Sequence, residues 1–80
     1  MENRIAVVAT VVSNPDAVER VNMLLHEFRN YIIGRLGIPS KERAVSVITV
    51  VLDAPSEKIN TLSGKLGMLE NVTSKVLITK

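Results

Sequence analysis

The sequence contains no cysteine, no tryptophan and a single histidine among its 80 residues. The absence of cysteine excludes disulfides, thiolate catalysis, iron–sulfur clusters and cysteine-ligated zinc. Because one histidine and scattered carboxylates do not make a ligand set, we predict that the chain binds no metal and needs no cofactor. No converging set of acid, base and nucleophile is visible either, so we expect a protein that is not an enzyme.

Positive charge and aromatic side chains are also sparse. The formal net charge is +2, and Lys and Arg are scattered among Asp and Glu instead of forming a stripe that could follow phosphates. Phe28 and Tyr31 are the two aromatic residues, which is too few for the base-stacking sheet of an RNA-recognition motif. We therefore expect no direct nucleic-acid binding.

Long hydrophobic runs are absent as well. The apolar run IAVVATVV, residues 5–12, is too short to span a membrane, so we expect no membrane association. A signal peptide is disfavoured because the run is rich in valine rather than leucine and supplies a strand that the fold needs. We expect a cytoplasmic protein.

Four segments are rich in β-branched and aliphatic residues and predict β-strands. They cover residues 4–12, 31–36, 44–52 and 72–79. The polar segment GIPSKER joins the second strand to the third and predicts a hairpin turn.

Two segments have the apolar spacing of amphipathic helices. The first follows the sequence SNPD, in which Asn14 is a suitable N-cap. The second begins at DAPSEK, where Asp53 or Ser56 could cap it, and ends at Gly67, a residue type that often adopts the left-handed conformation after a helix. Gly64 lies inside this second helix and predicts close packing.

The resulting element order is β-α-β-β-α-β. Right-handed crossovers place both helices on one face of a four-stranded antiparallel sheet, which is a ferredoxin-like α+β fold. The first and third strands are central in this topology, and they are also the longest and most apolar strands of the sequence. We expect residues 1–80 to form a single domain.

Three segments resemble a known family: the hairpin IIGRLGIPSKER, the strand VSVITVVLDA and the helix end LSGKLGMLENV. With the opening RIAVVATVV they cover nearly the whole chain. The sequence resembles the iron-only hydrogenase system regulators, a family of small stand-alone ACT-like proteins. The resemblance implies an ACT-like homodimer with a regulatory role, encoded together with hydrogenase or its maturation machinery.

Two functions remain open on the sequence alone. In the first, the protein is a non-enzymatic regulatory module that forms a homodimer or larger oligomer and responds to a small molecule or to a hydrogenase-related protein. In the second, it is a ligand-free structural or protein-interaction factor associated with hydrogenase maturation. A ligand that binds only the native chain would raise the melting temperature and separate the two.

Two polar segments are candidate contacts for a ligand or partner. The loop before the first helix offers amides and side-chain oxygens, although helix capping accounts for the same residues. The hairpin elbow brings three cations near one another, where they could hold an anion or only solvate the turn. These candidate contacts are Ser13, Asn14, Asp16, Arg35, Lys41 and Arg43. His26 lies alone on the polar helix face, and we interpret it as a solvated residue.

The alternation of side chains along a strand predicts an oligomer interface. We assign the residue sets that contain a central threonine to the sheet face away from the helices. These sets are β-branched, whereas a sheet face in contact with water normally carries many polar residues. The predicted interface consists of Val8, Val45, Val47, Thr49 and Val51.

Overall fold

The computed structural model describes residues 2–79 as one antiparallel sheet with two helices. The elements are β1 (Asn3–Val12), α1 (Pro15–Glu27), a 3-10 turn (Arg29–Tyr31), β2 (Ile32–Ser40), β3 (Val45–Pro55), α2 (Ser56–Gly67) and β4 (Val72–Ile78). The strand order is β2-β3-β1-β4, with β1 and β3 in the centre. The predicted ferredoxin-like α+β fold is confirmed.

The two helices begin differently. Asn14 caps α1 as predicted, because its Oδ1 accepts a hydrogen bond of 2.9 Å from the backbone N–H of Asp16. The N-cap of α2 is Pro55, and no side chain caps this helix. The predicted cap by Asp53 or Ser56 is wrong, since β3 extends through Asp53 to Pro55 and Ser56 is already helical.

Neither glycine of α2 has the role that the sequence predicted. Gly67 is the last helical residue, but the left-handed conformation occurs later, at Asn71, with a φ of 63°. A β-carbon placed on Gly64 would meet no heavy atom within 4 Å. Gly64 therefore faces open space and does not mark close packing.

The hairpin between β2 and β3 is longer than predicted and its turn is shorter. Gly37 and Pro39 pair with β3, and the turn is confined to residues 41–44. The turn closes with Ala44 in the left-handed region, at a φ of 54°. Because β2 is an edge strand, it tolerates a proline that a central strand would exclude.

The hydrophobic core lies between the sheet and the helices, and it corrects the predicted orientation of β1. Val8 is fully buried in this core, so its assignment to the outer face is wrong. Residues directly opposite each other in an antiparallel pair project to the same side. Val8 pairs with the core residue Val50, and Thr10 pairs with Ile48, so both β1 residues face the helices.

Candidate functional site

The sheet face that the helices leave uncovered is mostly apolar, and we call it the open sheet face. Strand register places on it Ile5, Val7, Ala9, Val11, Leu36, Ile38, Val45, Val47, Thr49, Val51 and Leu77. Leu77, Leu36 and Ile38 are 70%, 58% and 51% exposed. With strands about 4.8 Å apart and a rise of about 3.3 Å per residue, this surface measures about 15 Å by 20 Å, or about 300 Å².

Charged side chains lie at the margin of the open sheet face. Lys75 is on the edge strand β4, opposite Ala9, and Asp53 is near the end of β3, opposite Ile5. The central strands carry aliphatic side chains on this face apart from Thr49 in the middle and Asn3, Asp53 and Pro55 at one end. An apolar centre with a polar margin is the usual composition of a protein–protein interface.

The structure places four of the predicted interface residues, Val45, Val47, Thr49 and Val51, on the open sheet face, where all are partly exposed. Their contact with another chain stays a prediction. Sequence reasoning missed the contribution of Ile38, because the second strand was expected to end at residue 36. It missed the open-face residues of β1 because the orientation of that strand was inverted.

The first loop and the hairpin turn meet at one end of the sheet. A cavity of about 200 Å³ lies between them and is lined by Pro15 of the loop side and by Lys41 and Ala44 of the turn. Its walls are largely aliphatic or small side chains, among them Val12 and Val45. Of the candidate contacts, Lys41 is the one that lines this cavity.

The polar atoms of the first loop are used within the chain. Ser13 donates two hydrogen bonds to the backbone carbonyl of Asn71, from its N–H at 2.8 Å and from its Oγ at 3.2 Å. Asn14 and Asp16 form the helix cap already described. These bonds favour the structural interpretation of the loop over a ligand contact.

Arg35 lies apart from the other two cations of the predicted cluster. Arg35 lies in the middle of β2, where it pairs with Val50 of β3 and faces the helices. Its guanidinium donates a hydrogen bond to Oδ1 of Asn22 on α1. At about 3.3 Å per residue, Lys41 is about 20 Å further along the chain. The predicted grouping of Arg35 with Lys41 and Arg43 is therefore wrong, because β2 continues as a strand to Ser40.

Within residues 2–79, no group of three or more His, Cys, Asp or Glu residues is arranged to hold a metal ion. Over the same range, none of the helices has both the length and the hydropathy needed to cross a membrane.

Comparison with known proteins agrees with the resemblance seen in the sequence. The TM1266-like family, described as "Iron-only hydrogenase system regulator, putative", matches residues 4–76. The uncharacterized protein TM1266 from Thermotoga maritima is 36% identical, with a TM-score of 0.93, over 99% of this chain and 100% of that one. A formyltetrahydrofolate deformylase from Pseudomonas putida KT2440 shares the fold alone, with 15% identity and a TM-score of 0.61 over 92% of this chain and 28% of the enzyme.

A search of the curated proteins finds no match. The family match covers most of the chain, and the similarity to the Thermotoga protein extends over nearly all of it. The chain therefore belongs to the TM1266-like family of iron-only hydrogenase system regulators.

Proposed function

We propose that the protein is a cytoplasmic, single-domain, non-enzymatic regulator of an iron-only hydrogenase system, and that it acts as a homodimer or larger homo-oligomer. Family membership supports the link to hydrogenase. The open sheet face is the observation that supports self-association. We propose that two copies pack against each other through this face, so that the apolar centre of each is covered by the other.

The size and composition of the open sheet face favour this assembly. At about 300 Å², the open sheet face is within the size range of the largest apolar patches on soluble monomers, about 300–600 Å², which are often functional. Covering about 300 Å² on each of two copies, at about 25 cal/mol per Å², contributes about 15 kcal/mol, which is comparable to the estimated cost of association of about 4–15 kcal/mol. A domain of this length also has a small core, so association adds buried surface that the chain cannot gain alone.

Val47 is the position at which to test the interface. It lies on the open sheet face between Ile38 of β2 and Val11 of β1. We expect Val47→Glu to convert the oligomer to a monomer in light scattering, because a buried unpaired carboxylate is strongly disfavoured. The matched control is Asn60→Glu, which adds the same charge at an exposed position of α2 and should leave the oligomer intact. A monomeric wild type, or a Val47→Glu protein that associates like wild type, would show that this face is not the interface.

The regulatory role is tested in a host that carries an iron-only hydrogenase system. We expect chromosomal Val47→Glu to change hydrogenase transcript levels in the same direction as deletion of the gene, while Asn60→Glu leaves them at the wild-type level. Unchanged transcripts in the deletion strain would refute regulation of expression. Loss of hydrogenase activity with unchanged transcripts would instead favour the ligand-free maturation factor.

A further inference from the structure

A cavity outside the open sheet face lies between α1 and the edge strand β2. Its volume is about 280 Å³, and it is lined by Asn22, Leu25, His26, Arg29, Ile32 and Arg35. Leu25 is 2% exposed and Ile32 is partly buried, so these two residues give the cavity an apolar floor. The remaining lining residues are polar and include two arginines.

The positions of the arginines follow from helix spacing and strand register. Asn22, His26 and Arg29 are separated by four and three residues, so they share one side of α1 and the turn that follows it. Arg29 Nη1 donates a hydrogen bond of 2.9 Å to the carbonyl of His26. Arg35 reaches across from β2 and donates to Oδ1 of Asn22. Both guanidinium groups are thus held against α1, about one turn apart, and both arginines line the cavity.

Neither guanidinium is neutralised within the part of the chain that the structure describes. The ion pair of residues 2–79 joins Lys65 to Glu27 at 3.5 Å, and no carboxylate lines the cavity. The hydrogen bonds of Arg29 and Arg35 go to a carbonyl and an amide, which are neutral acceptors. Because each guanidinium has five N–H donors, most donors of both side chains are left for another acceptor.

We propose that this cavity binds a small organic anion through a carboxylate or phosphate monoester group held between Arg29 and Arg35. The planar fork of N–H donors matches the oxygens of both groups and forms charge-assisted hydrogen bonds with them. Leu25 and Ile32 contact the carbon skeleton of the ligand. The volume is just below the usual range for ligand pockets of about 300–1,000 Å³, which favours a small metabolite. This inference rests on the proposed regulatory function and names the ligand class to which the regulator responds.

The test is a calorimetric and NMR titration of the full-length protein at low salt. The probes are glycerol 3-phosphate and succinate, with glycerol and succinamide as neutral counterparts. We expect at least one anion to bind saturably, with shifts in the Nε–Hε signals of Arg29 and Arg35, and neither neutral compound to bind. Binding of succinate alone assigns a carboxylate ligand, and binding of glycerol 3-phosphate alone assigns a phosphate monoester.

Arginine variants locate the site. Arg29→Gln and Arg35→Gln should each weaken binding at least about tenfold, in line with the loss of a charge-assisted hydrogen bond. Arg20→Gln is the matched control, because Arg20 is exposed on α1 about 200° around the helix from Asn22. It should leave the affinity within about twofold of wild type. The tenfold loss expected for Arg29→Gln and Arg35→Gln corresponds to about 1.4 kcal/mol and is clearly larger.

Three results would overturn the proposal: no saturable binding of either anion up to about 10 mM, equal binding of the neutral compounds, or an equal loss of affinity in Arg20→Gln. Melting curves establish that each variant is folded, and if one arginine variant does not fold, the other variant and the wild-type NMR shifts decide the outcome. Titration of Val47→Glu tests anion binding independently of self-association. All the lining residues belong to one chain, so the cavity does not need a second copy. Anion binding by the Val47→Glu monomer agrees with both proposals, whereas a wild-type protein that is monomeric and binds the anion refutes the assembly alone.

Discussion

At the scale of single residues, Asn14 determines where the loop after β1 ends and α1 begins. Its Oδ1 accepts from the N–H of Asp16, and its backbone carbonyl accepts from the N–H of Ala17 at 2.9 Å. The neighbouring Ser13 attaches the same loop to the start of β4 through Asn71. The loop is therefore held at both ends by hydrogen bonds within the chain, which is a structural role for residues that the sequence also offered as ligand contacts.

The cap leads to a prediction for Asn14→Ala. Removing the side-chain acceptor leaves a helix N–H without its partner, and we expect the free energy of unfolding to fall by about 1 kcal/mol. Asn60→Ala, at an exposed position within α2, is the control and should be neutral or slightly stabilising because alanine favours helices. Urea unfolding measures both. An Asn14→Ala protein as stable as wild type would show that the cap contributes nothing.

At the scale of the elements, α2 has weaker local support than α1. It begins without a side-chain cap and carries Gly64 in its interior. Its stability therefore depends on packing, since Ile59, Leu62 and Leu66 are fully buried against the sheet. Tertiary contacts commonly outweigh weak helix propensity in this way.

Replacing the interior glycine tests this balance. We expect Gly64→Ala to raise the free energy of unfolding by about 0.5–1 kcal/mol, because alanine loses less backbone entropy on folding and the new β-carbon meets no atom within 4 Å. Gly67→Ala, at the last helical residue, should give a smaller gain because helix ends fray. Equal gains at the two positions in thermal or urea unfolding would contradict an effect of helix propensity.

The order of the elements could be predicted from the sequence because β-branched runs and helical stripes are local signals. The set of β1 side chains that faces the helices could not be predicted, because it depends on which residue of β3 lies opposite Val8. The same holds for the cavity lined by Arg29 and Arg35, which we call the arginine cavity. The register of β2 on β3 turns Arg35 toward α1, near Arg29, whereas the sequence alone grouped Arg35 with Lys41 and Arg43 at the hairpin elbow.

At the scale of the whole molecule, the sheet is packed on one side only. The helices cover one face, and the open sheet face carries a second set of aliphatic residues from both central strands. The arginine cavity lies on the opposite side of the sheet from this surface, under α1. Self-association through the open sheet face therefore leaves the cavity accessible, and the two proposals can hold together.

Association through the open sheet face makes stability depend on protein concentration. A contact that only native chains form stabilises them by mass action, so a hundredfold increase in concentration contributes about 2.7 kcal/mol per dimer. Shared between two chains, this corresponds to a rise in melting temperature of about 5–10 °C. Differential scanning fluorimetry with an extrinsic dye or calorimetry at two concentrations measures it. Val47→Glu should lose the dependence, and a concentration-independent wild type would contradict a dimer coupled to folding.

The irregular backbone of β2 has a consequence for how far such assembly can grow. An exposed strand edge can add another strand, and then another, so pairing through edges leads to open-ended polymers. In β2 a bulge between Ile32 and Gly34 shifts the ladder, and Pro39 removes a backbone donor. Both features make this edge a poor template for a further strand. In the proposed assembly, a two-fold pair through the open sheet face covers that surface on both copies, so growth through it stops at two chains.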